Sequence, residues 1–535
     1  MPASSTASRR EMAPRGVPQQ RCWDVVCIGS GMGSLAAAAA LARSGRSVLV
    51  LEAHSQIGGL THTFARKQVR WGTGLHYTGW PTAYACDFPH LWDVLTGGEA
   101  PWVRLPEDTD YYHHADGVFV KRGPRQRYRE DLHAAFPAER PIIDRYLDDL
   151  RRIAAEAFRF LPLQALPRMV ERLGVGWWLG RRFLSMDRLP LNQYMDQIGA
   201  SQKLREHLWF TWGNFGGIPD ETSVASAALP NEYMLDGLWT VQNGSRSVAD
   251  AFSRTICQAG GEVRRGAAVT GLIFQGGRVV GVRVGEEEVR AHTVISGIGA
   301  RETYRLLVPA ERQPRHTDSI LSMKPSCSFF TLYLALDAAV LKHYGFTGVN
   351  YWVEAVRGSM RECWKDLSSP PPWFLLSLAA RFQQEGPAVG STEEERIIPA
   401  EVFITVSAEH FARWQQTRVM QRGVEYADFK QHLVAQALQR VEATWPGFGR
   451  YVRHTEGATP LSIASYTRHL DGAAYGLAPV PGRYSARALR VATGVPGLLL
   501  TGQDVTAAGV IGAFFGGLTT ASAILRRNAP SFLLR

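Results

Sequence analysis

The sequence predicts an α/β (α+β) fold, in which one parallel sheet is assembled from three separated segments with long insertions between them. Three stretches carry this reading: residues 25–59, the hairpin-rich chain after residue 241, and the apolar close at about 485–527. The first of these runs VVCIGSGMGSLAAAAALARSGRSVLVLEAHSQIGG. Val25–Ile28 is a short apolar run suited to a buried parallel strand. Gly29 and Gly31 match the first two glycines of the dinucleotide fingerprint, where a bare backbone turns tightly and approaches a pyrophosphate. A helix from roughly Met32 to Ser44 would aim its free amides and positive dipole end at that phosphate. Ser47–Leu51 supplies the second strand, and Glu52, twenty-one residues beyond Gly31, can accept a bond from a ribose hydroxyl. Ser34 stands where the third glycine is usual, and it is small enough to allow close packing of helix on strand. An alanine-rich helix packed on a sheet without a ligand is the bland alternative. Gly58-Gly59 weighs against it, because this pair after the ribose-binding acid is a habit of large flavoproteins and favours FAD over a nicotinamide nucleotide.

The Rossmann-type domain is therefore predicted to be discontinuous, with an inserted substrate-binding domain. The expected division is a disordered tail at 1–22, then a first part of the FAD-binding domain at 23–84 and a substrate-domain insertion at 85–235. A second FAD-binding part follows at 236–314, the remaining substrate domain at 315–484, and a C-terminal FAD-binding part at 485–535. The second part holds an amphipathic helix from Val248 to Ala259, ended by Gly260-Gly261, and extended chain at Glu262–Arg265. Val269–Phe274 and Arg278–Val284 flank Gly276-Gly277, a hairpin turn, and Thr293–Ile295 reads as another buried strand. Between Asp504 and Arg526 lie twenty-one uncharged residues, long enough for a membrane span and carrying a GxxxG spacing at Gly512 and Gly516. Four glycines, three threonines and the preceding Leu498–Leu500 strand favour strand, turn and buried helix instead. In the insertion, Phe158–Met186 reads either as a core-facing helix pair or as an amphipathic surface dipping into a membrane. Leu208–Phe215 (LWFTWGNF) reads either as core or as the wall of a cavity for a long apolar ligand.

A chain of 535 residues exceeds one ordinary core, and 45% hydrophobic with 20% charged residues is the composition of a folded protein. The formal charge of +10 is scattered, without a Lys/Arg block of the nucleic-acid type, so no nucleic-acid partner is expected. A basic surface does suit contact with anionic lipid. The six cysteines show no CxxC and no metal spacing, as in a reducing compartment, and residues 1–20 lack the apolar core of a secretory signal. The expected location is cytoplasmic, with peripheral association at a membrane.

With these segments in view, the chain resembles the phytoene desaturase-like flavoproteins, and within them the carotenoid isomerase and retinol saturase branch. The resemblance extends over nearly the whole chain after residue 22. It rests on GSGMGSLAAAAALARSG, GGLTHTF (58–64), WGTGLHYTG (71–79), EGATPLSIASYTRHLDGAAYG (456–476) and TGQDVTAAGVIGAFFGG (501–517). The TGLHY and TGQDV segments speak for the saturase-like branch. Trp71-Gly72 departs from the pattern, since an acidic residue commonly precedes TG there. The resemblance implies FAD as cofactor, with Glu52 on the adenosine ribose and Gly29, Gly31, Ser34, Gly58 and Gly59 about the pyrophosphate. Val269 would meet the adenine through its main chain and Asp504 the ribityl or phosphate region. The helix starting near Gly509, Val510 and Ile511 would point its N-terminus at the flavin's pyrimidine edge. His62, His76 and Tyr77 would run alongside the isoalloxazine, each either a hydrogen-bonded structural residue or a proton donor. No metal is expected, because no third ligand stands at a useful spacing.

The implied activity is reduction of one double bond of a long conjugated retinoid- or carotenoid-like isoprenoid. Reduced flavin would supply hydride and an acid or water the second hydrogen. The electrons would come from a reductant such as NADPH through a partner. Cis-trans isomerisation and desaturation are the alternative outcomes. A binding protein of the Rab GDP-dissociation inhibitor kind, which shares a related fold, is the rival from outside enzymology.

Overall fold

The structure is a computed structural model, and it describes residues 21–80, 87–114, 116–166, 178–356, 358–359, 363–383, 396–469 and 471–534. Of the expected 1–22 tail, residues 1–20 lie outside the described residues, while Cys22 already opens the first strand. The predicted parallel sheet runs Glu262–Arg264, Val48–Leu51, Cys22–Ile28, Glu287–Ser296, Arg278–Val284, Val269–Gln275. Leu498–Leu500 adds to the end of Glu287–Ser296, pairing at Val294–Ser296 where the antiparallel strand Arg278–Val284 has already left it. The hairpin around Gly276-Gly277 is present as expected, and Thr293–Ile295 proves to be the end of a longer strand.

The alanine-rich helix Met32–Arg43 is buried from Met32 to Ala42, which small side chains allow. The helix Gly509–Leu525 crosses it with backbone against backbone: a Cβ on Gly517 would sit 2.4 Å from the Gly33 carbonyl oxygen, and one on Gly33 would sit 2.5 Å from the Gly502 Cα. The 505–525 segment is thus a buried helix wedged against its own sheet, and no helix among the described residues is long and apolar enough to cross a membrane.

A second, mainly antiparallel sheet is ordered Val452–Ala458, Ser328–Asp337, Ile397–Val406, Trp373–Ser377, Asn350–Glu354, Asp108–His114, Gly117–Arg122. Both insertions contribute to it. His113 and His114 end one of its strands and are half buried. The strand pairs in parallel with Asn350–Glu354, far away in sequence, so local composition gave no sign of it. Helices cover the first insertion, and Arg140–Phe160 buries Ile143, Tyr146, Leu147, Leu150 and Ile153 on one face. Phe158 and Phe183 lie in that core, Trp178 is exposed, and residues 167–177 of the same stretch lie outside the described residues. In Leu208–Phe215 the rings of Trp209, Phe210, Trp212 and Phe215 fill the same core, leaving Gly213 and Asn214 to face a cavity.

His207 is buried among Tyr112, Phe119, Phe136 and His114, and burial, then the neighbouring His114 and Lys203, pushes its pKa down to about 3. In the unfolded chain it would take a proton near 6.5. Between those values the unfolded state binds the extra proton, so folding stability falls as the pH drops below about 6.5. His207→Phe is expected to lose less thermal stability between pH 7 and pH 5 than the parent, and equal losses by calorimetry would contradict this.

Candidate functional site

Gly29, in a left-handed turn at φ 83°, ends the first strand and donates its N–H to the Leu51 carbonyl at 2.8 Å. Glu52 then ties the nucleotide end of the sheet together. One carboxylate oxygen accepts from Ser30 N at 2.8 Å and Ser30 Oγ at 2.5 Å, and the other from His54 N at 2.8 Å. Gly58 N donates back to Ser30 Oγ at 2.9 Å, which fixes the Gly58-Gly59 turn so that Gly59 lies against Gly31. Glu52 is thus a local knot as well as the predicted ribose ligand. Ser34 faces Gly297: a Cβ there would overlap its hydroxyl, so the missing third glycine is compensated on the opposing chain. Ala267 N bonds the Glu52 carbonyl at 2.7 Å, which brings the strand starting at Val269 up to the acid.

Asp504 is buried with both oxygens taken by backbone, from Ala300 N at 2.8 Å and Leu477 N at 3.0 Å. In this structure it joins the turn after Ser296 to the chain at 476–477, in addition to any contact with a nucleotide. Gly509 and Val510, at the N-terminus of the last helix, line the cavity, whereas the Ile511 side chain is buried in the core. Open space lies over Gly502 and Gly509, where a Cβ would meet no atom within 4 Å. This bare backbone, the half-buried Gly29 and Gly31 before the first helix and the Glu52 carboxylate fit the phosphates, ribose and flat ring of FAD.

The cleft opens into a cavity of about 1000 Å³. One face of the second sheet floors it. Thr331 and Tyr333, Phe403, Leu375 and Trp352 stand on neighbouring strands in register, so their side chains share that face. His62, His76 and Tyr77 all line the cavity. His62 is buried and its Nδ1–H donates to the Gly59 carbonyl, and burial, outweighing that bond, holds its pKa below the usual value. The Tyr77 hydroxyl donates to Asn214 Oδ1 at 2.9 Å, and burial pushes its pKa well above the phenol range, so it stays neutral. The His76 ring packs edge-on to Phe403 with centroids 4.8 Å apart, and its carbonyl accepts from Thr240 Oγ1 and the Gln383 amide. Trp71, the departure from the family pattern, is fully buried and donates to the Leu334 carbonyl at 3.0 Å, which makes it part of the wall between hairpin and sheet.

Two buried carboxylates that touch residues of the cavity wall, Asp110 at Trp352 and Glu401 at His76, escaped the sequence reading. Asp110 accepts from Trp352 Nε1 at 2.8 Å and Asn350 Nδ2 at 3.0 Å, with Lys121 Nζ 3.6 Å away. Glu401 lies 3.7 Å from His76 Nδ1 and is fully buried. Glu401 has a signal in retrospect, as the one charge in the apolar strand Ile397–Val406 (IIPAEVFITV).

A glycine turn tied to Glu52, and an aromatic-lined cavity that reaches Gly509 at the start of the last helix, define a flavin-dependent oxidoreductase. The chain belongs to the flavin containing amine oxidoreductase family, whose pattern matches residues 35–397, and FAD is its cofactor. It is similar to all-trans-retinol 13,14-reductase of Homo sapiens, 29% identical over 95% of this chain and 87% of the relative. A Danio rerio protein named inactive all-trans-retinol 13,14-reductase is 25% identical over 97% of this chain and 88% of its own. Prolycopene isomerase of Daucus carota is 23% identical over 95% and 80%. Among solved structures, putrescine oxidase superposes with a TM-score of 0.60 at 16% identity, covering 95% of this chain and all 100% of that one. Cyclohexylamine oxidase from Brevibacterium oxydans gives 0.57 at 14%, covering 95% and 99%. These two likenesses are of fold.

Proposed function

We propose that this FAD-dependent oxidoreductase saturates one double bond of a retinoid- or carotenoid-like polyene. The observation that carries the reading is the cavity: a space of about 1000 Å³ lined by Phe329, Phe403, Trp352, Trp373 and Leu375 and reaching Gly509 and Val510 at the N-terminus of the last helix. FAD, held by Glu52, the glycine turns and the helix start at Gly509, supplies the hydride when reduced. The helix N-terminus there favours the negative charge of a reduced ring by about 1 kcal/mol. The sheet face holds the polyene and excludes water. Tyr77 and Asn214 place a hydrogen-bonding pair among the aromatic walls, suited to a terminal hydroxyl on the substrate. The fingerprint at 25–52 is taken up by FAD in this reading, so electrons arrive from a separate donor such as NADPH through a partner protein.

The prolycopene isomerase relative supports isomerisation as the second reading. Product mass separates them. Anaerobic incubation of the reduced enzyme with retinol, and separately with a poly-cis carotene, is expected to give a product heavier by two hydrogens from at least one. An unchanged mass with altered retention would favour isomerisation, and loss of two hydrogens with oxidised enzyme would favour desaturation.

The cavity mouth supports a protein that rests on a membrane surface. Met420, 94% exposed, and Val424, 75% exposed, line it beside the exposed Val419 and Tyr466. Arg418 and Arg468 are exposed in the same segments. Such an apolar lip flanked by basic groups suits an anionic bilayer that delivers an apolar substrate. The Met420→Ser/Val424→Ser double variant is expected to lose flotation with phosphatidylserine vesicles while keeping its FAD. Unchanged flotation would contradict the assignment, which replaces the Phe158–Met186 stretch as the expected contact.

A further inference from the structure

The floor of the cavity has two unlike ends. Ala458, Thr331, Phe403, Leu375 and Trp352 form one in-register row across five strands, and all of them line the cavity. At about 4.8 Å between strands the row measures about 19 Å. Its Ala458 end lies by the mouth: the Tyr426 and Thr459 hydroxyls share a hydrogen bond at 2.8 Å, and Tyr466 stands on the helix Pro460–Thr467 that follows the strand. Its Trp352 end is flanked by Gly213 and Asn214, and a Cβ on Gly213 would sit 3.7 Å from the Trp352 ring. Asn214 and Tyr77 are only half-buried and both line the cavity, so each keeps surface open to a ligand.

The chemistry of that inner end is polar and neutral. The Tyr77 hydroxyl donates to Asn214 Oδ1, whereas the Asn214 amide nitrogen finds among the described residues only the Met234 sulfur as acceptor, at 3.6 Å. A thioether is a weak acceptor, so a good donor at the cavity wall is left under-used. Behind Tyr77 stands the fully buried Asn350, with Nδ2 held by Asp110 and Oδ1 without a partner. Asp110 also holds Trp352 Nε1, and Lys121, 3.6 Å away, offsets its charge. The pair is thus anchored on the protein side. The cations that line the cavity, Arg66, Arg422 and Lys430, belong to the mouth: Arg66 pairs with Glu456 on the outermost strand, and Arg422 and Lys430 flank Val424 in sequence.

We propose that Asn214 and Tyr77 form a subsite for an uncharged oxygen, a hydroxyl or an aldehyde, at one end of the polyene. Asn214 Nδ2 donates to that oxygen in place of the Met234 sulfur, and the hydrocarbon tail runs along the floor toward the Met420–Val424 lip. The inference deepens the saturation reading and rests on it for the polyene: the substrate class becomes an oxygen-terminated, retinoid-like chain rather than a hydrocarbon carotene or a carboxylate. A site built to bond an oxygen rejects the analogue that lacks it, because its donor is then left without a good acceptor. A carboxylate would have to leave water for an end of the cavity where the nearby cation, Lys121, is already balanced by Asp110.

The test measures dissociation constants on the FAD-loaded full chain, in its oxidised form, by quenching of tryptophan fluorescence. The ligands are retinol, the hydrocarbon with CH3 in place of its CH2OH group, and retinoic acid. Retinol is expected to bind about tenfold more tightly than the hydrocarbon, and more tightly than retinoic acid. Asn214→Leu is expected to lose about tenfold for retinol while its affinity for the hydrocarbon stays the same. Tyr77→Phe should show a smaller loss, again for retinol alone, and Met234→Leu should leave the preference in place. FAD content and thermal midpoint check that each variant is folded, and Tyr77→Phe carries the test if Asn214→Leu is not. Equal affinity of the parent for retinol and the hydrocarbon overturns the subsite. A variant that weakens both ligands alike makes its residue a piece of wall and also overturns it. Retinoic acid bound more tightly than retinol puts the polar end at the mouth cations and overturns the orientation. A parent that prefers retinol yet returns every polyene unreduced keeps the subsite and overturns the saturation reading, whereas one that reduces a polyene without the preference does the reverse.

Discussion

Glu52→Ala protein is expected to leave a gel-filtration column without FAD. The carboxylate that would bind the ribose also accepts from Ser30 N, Ser30 Oγ and His54 N, and through Ser30 it holds Gly58 N. Truncation removes the ribose ligand and leaves these donors short of an acceptor in a buried place. Each such loss costs about 1–3 kcal/mol, and because the bonds share one group they do not add in full. A net loss of about 3 kcal/mol in binding corresponds to more than a hundredfold in FAD affinity. Flavin absorbance after filtration and calorimetric titration with FAD both read this. Retention equal to the parent would mean that the nucleotide is held elsewhere.

Asp504→Ala is expected to be the most destabilising single change outside the hydrophobic cores. Its two oxygens take backbone N–H groups from Ala300 and Leu477, and so tie together two segments far apart in sequence. Hydrogen bonds to a charged group are worth about 1.5–3 kcal/mol each, so the variant should lose about 3–5 kcal/mol. Glu302 lies close by, and burial, then the Asp504 charge among its neighbours, raises its pKa. Asp504→Asn keeps one acceptor and should fall between the two. A thermal midpoint within one degree of the parent, roughly the effect of 1 kcal/mol in a chain of 535 residues, would contradict the account.

The parts of the fold that were legible in the sequence are those specified locally. Gly29 and Gly31 between an apolar run and an alanine helix, the Gly276-Gly277 turn, and Glu52 after its strand all declare themselves within a few residues. The terminal segment was legible too, because its glycines are what let Gly517 approach Gly33, and a lipid-facing span has no need of that contact. The second sheet was not legible. Its strands come from both insertions, and the parallel pairing that makes a strand of His113 depends on Asn350–Glu354. The site followed the same rule. His62, His76 and Tyr77 sit beside a glycine turn and were visible, whereas Glu401 reaches His76 only through the register of a distant strand. Asp504 showed its position but not its partners, which are backbone amides with no sequence signature.

The central claim is that reduced FAD in this protein transfers its reducing equivalents to a polyene. The direct measurement is an anaerobic mix of the photoreduced enzyme with retinol or a poly-cis carotene, following flavin absorbance and polyene absorbance together and then weighing the product. The account predicts that oxidised flavin returns in equal amount to the polyene consumed, with two hydrogens gained by the product. Flavin that stays reduced while both polyenes are recovered unchanged in mass would contradict it.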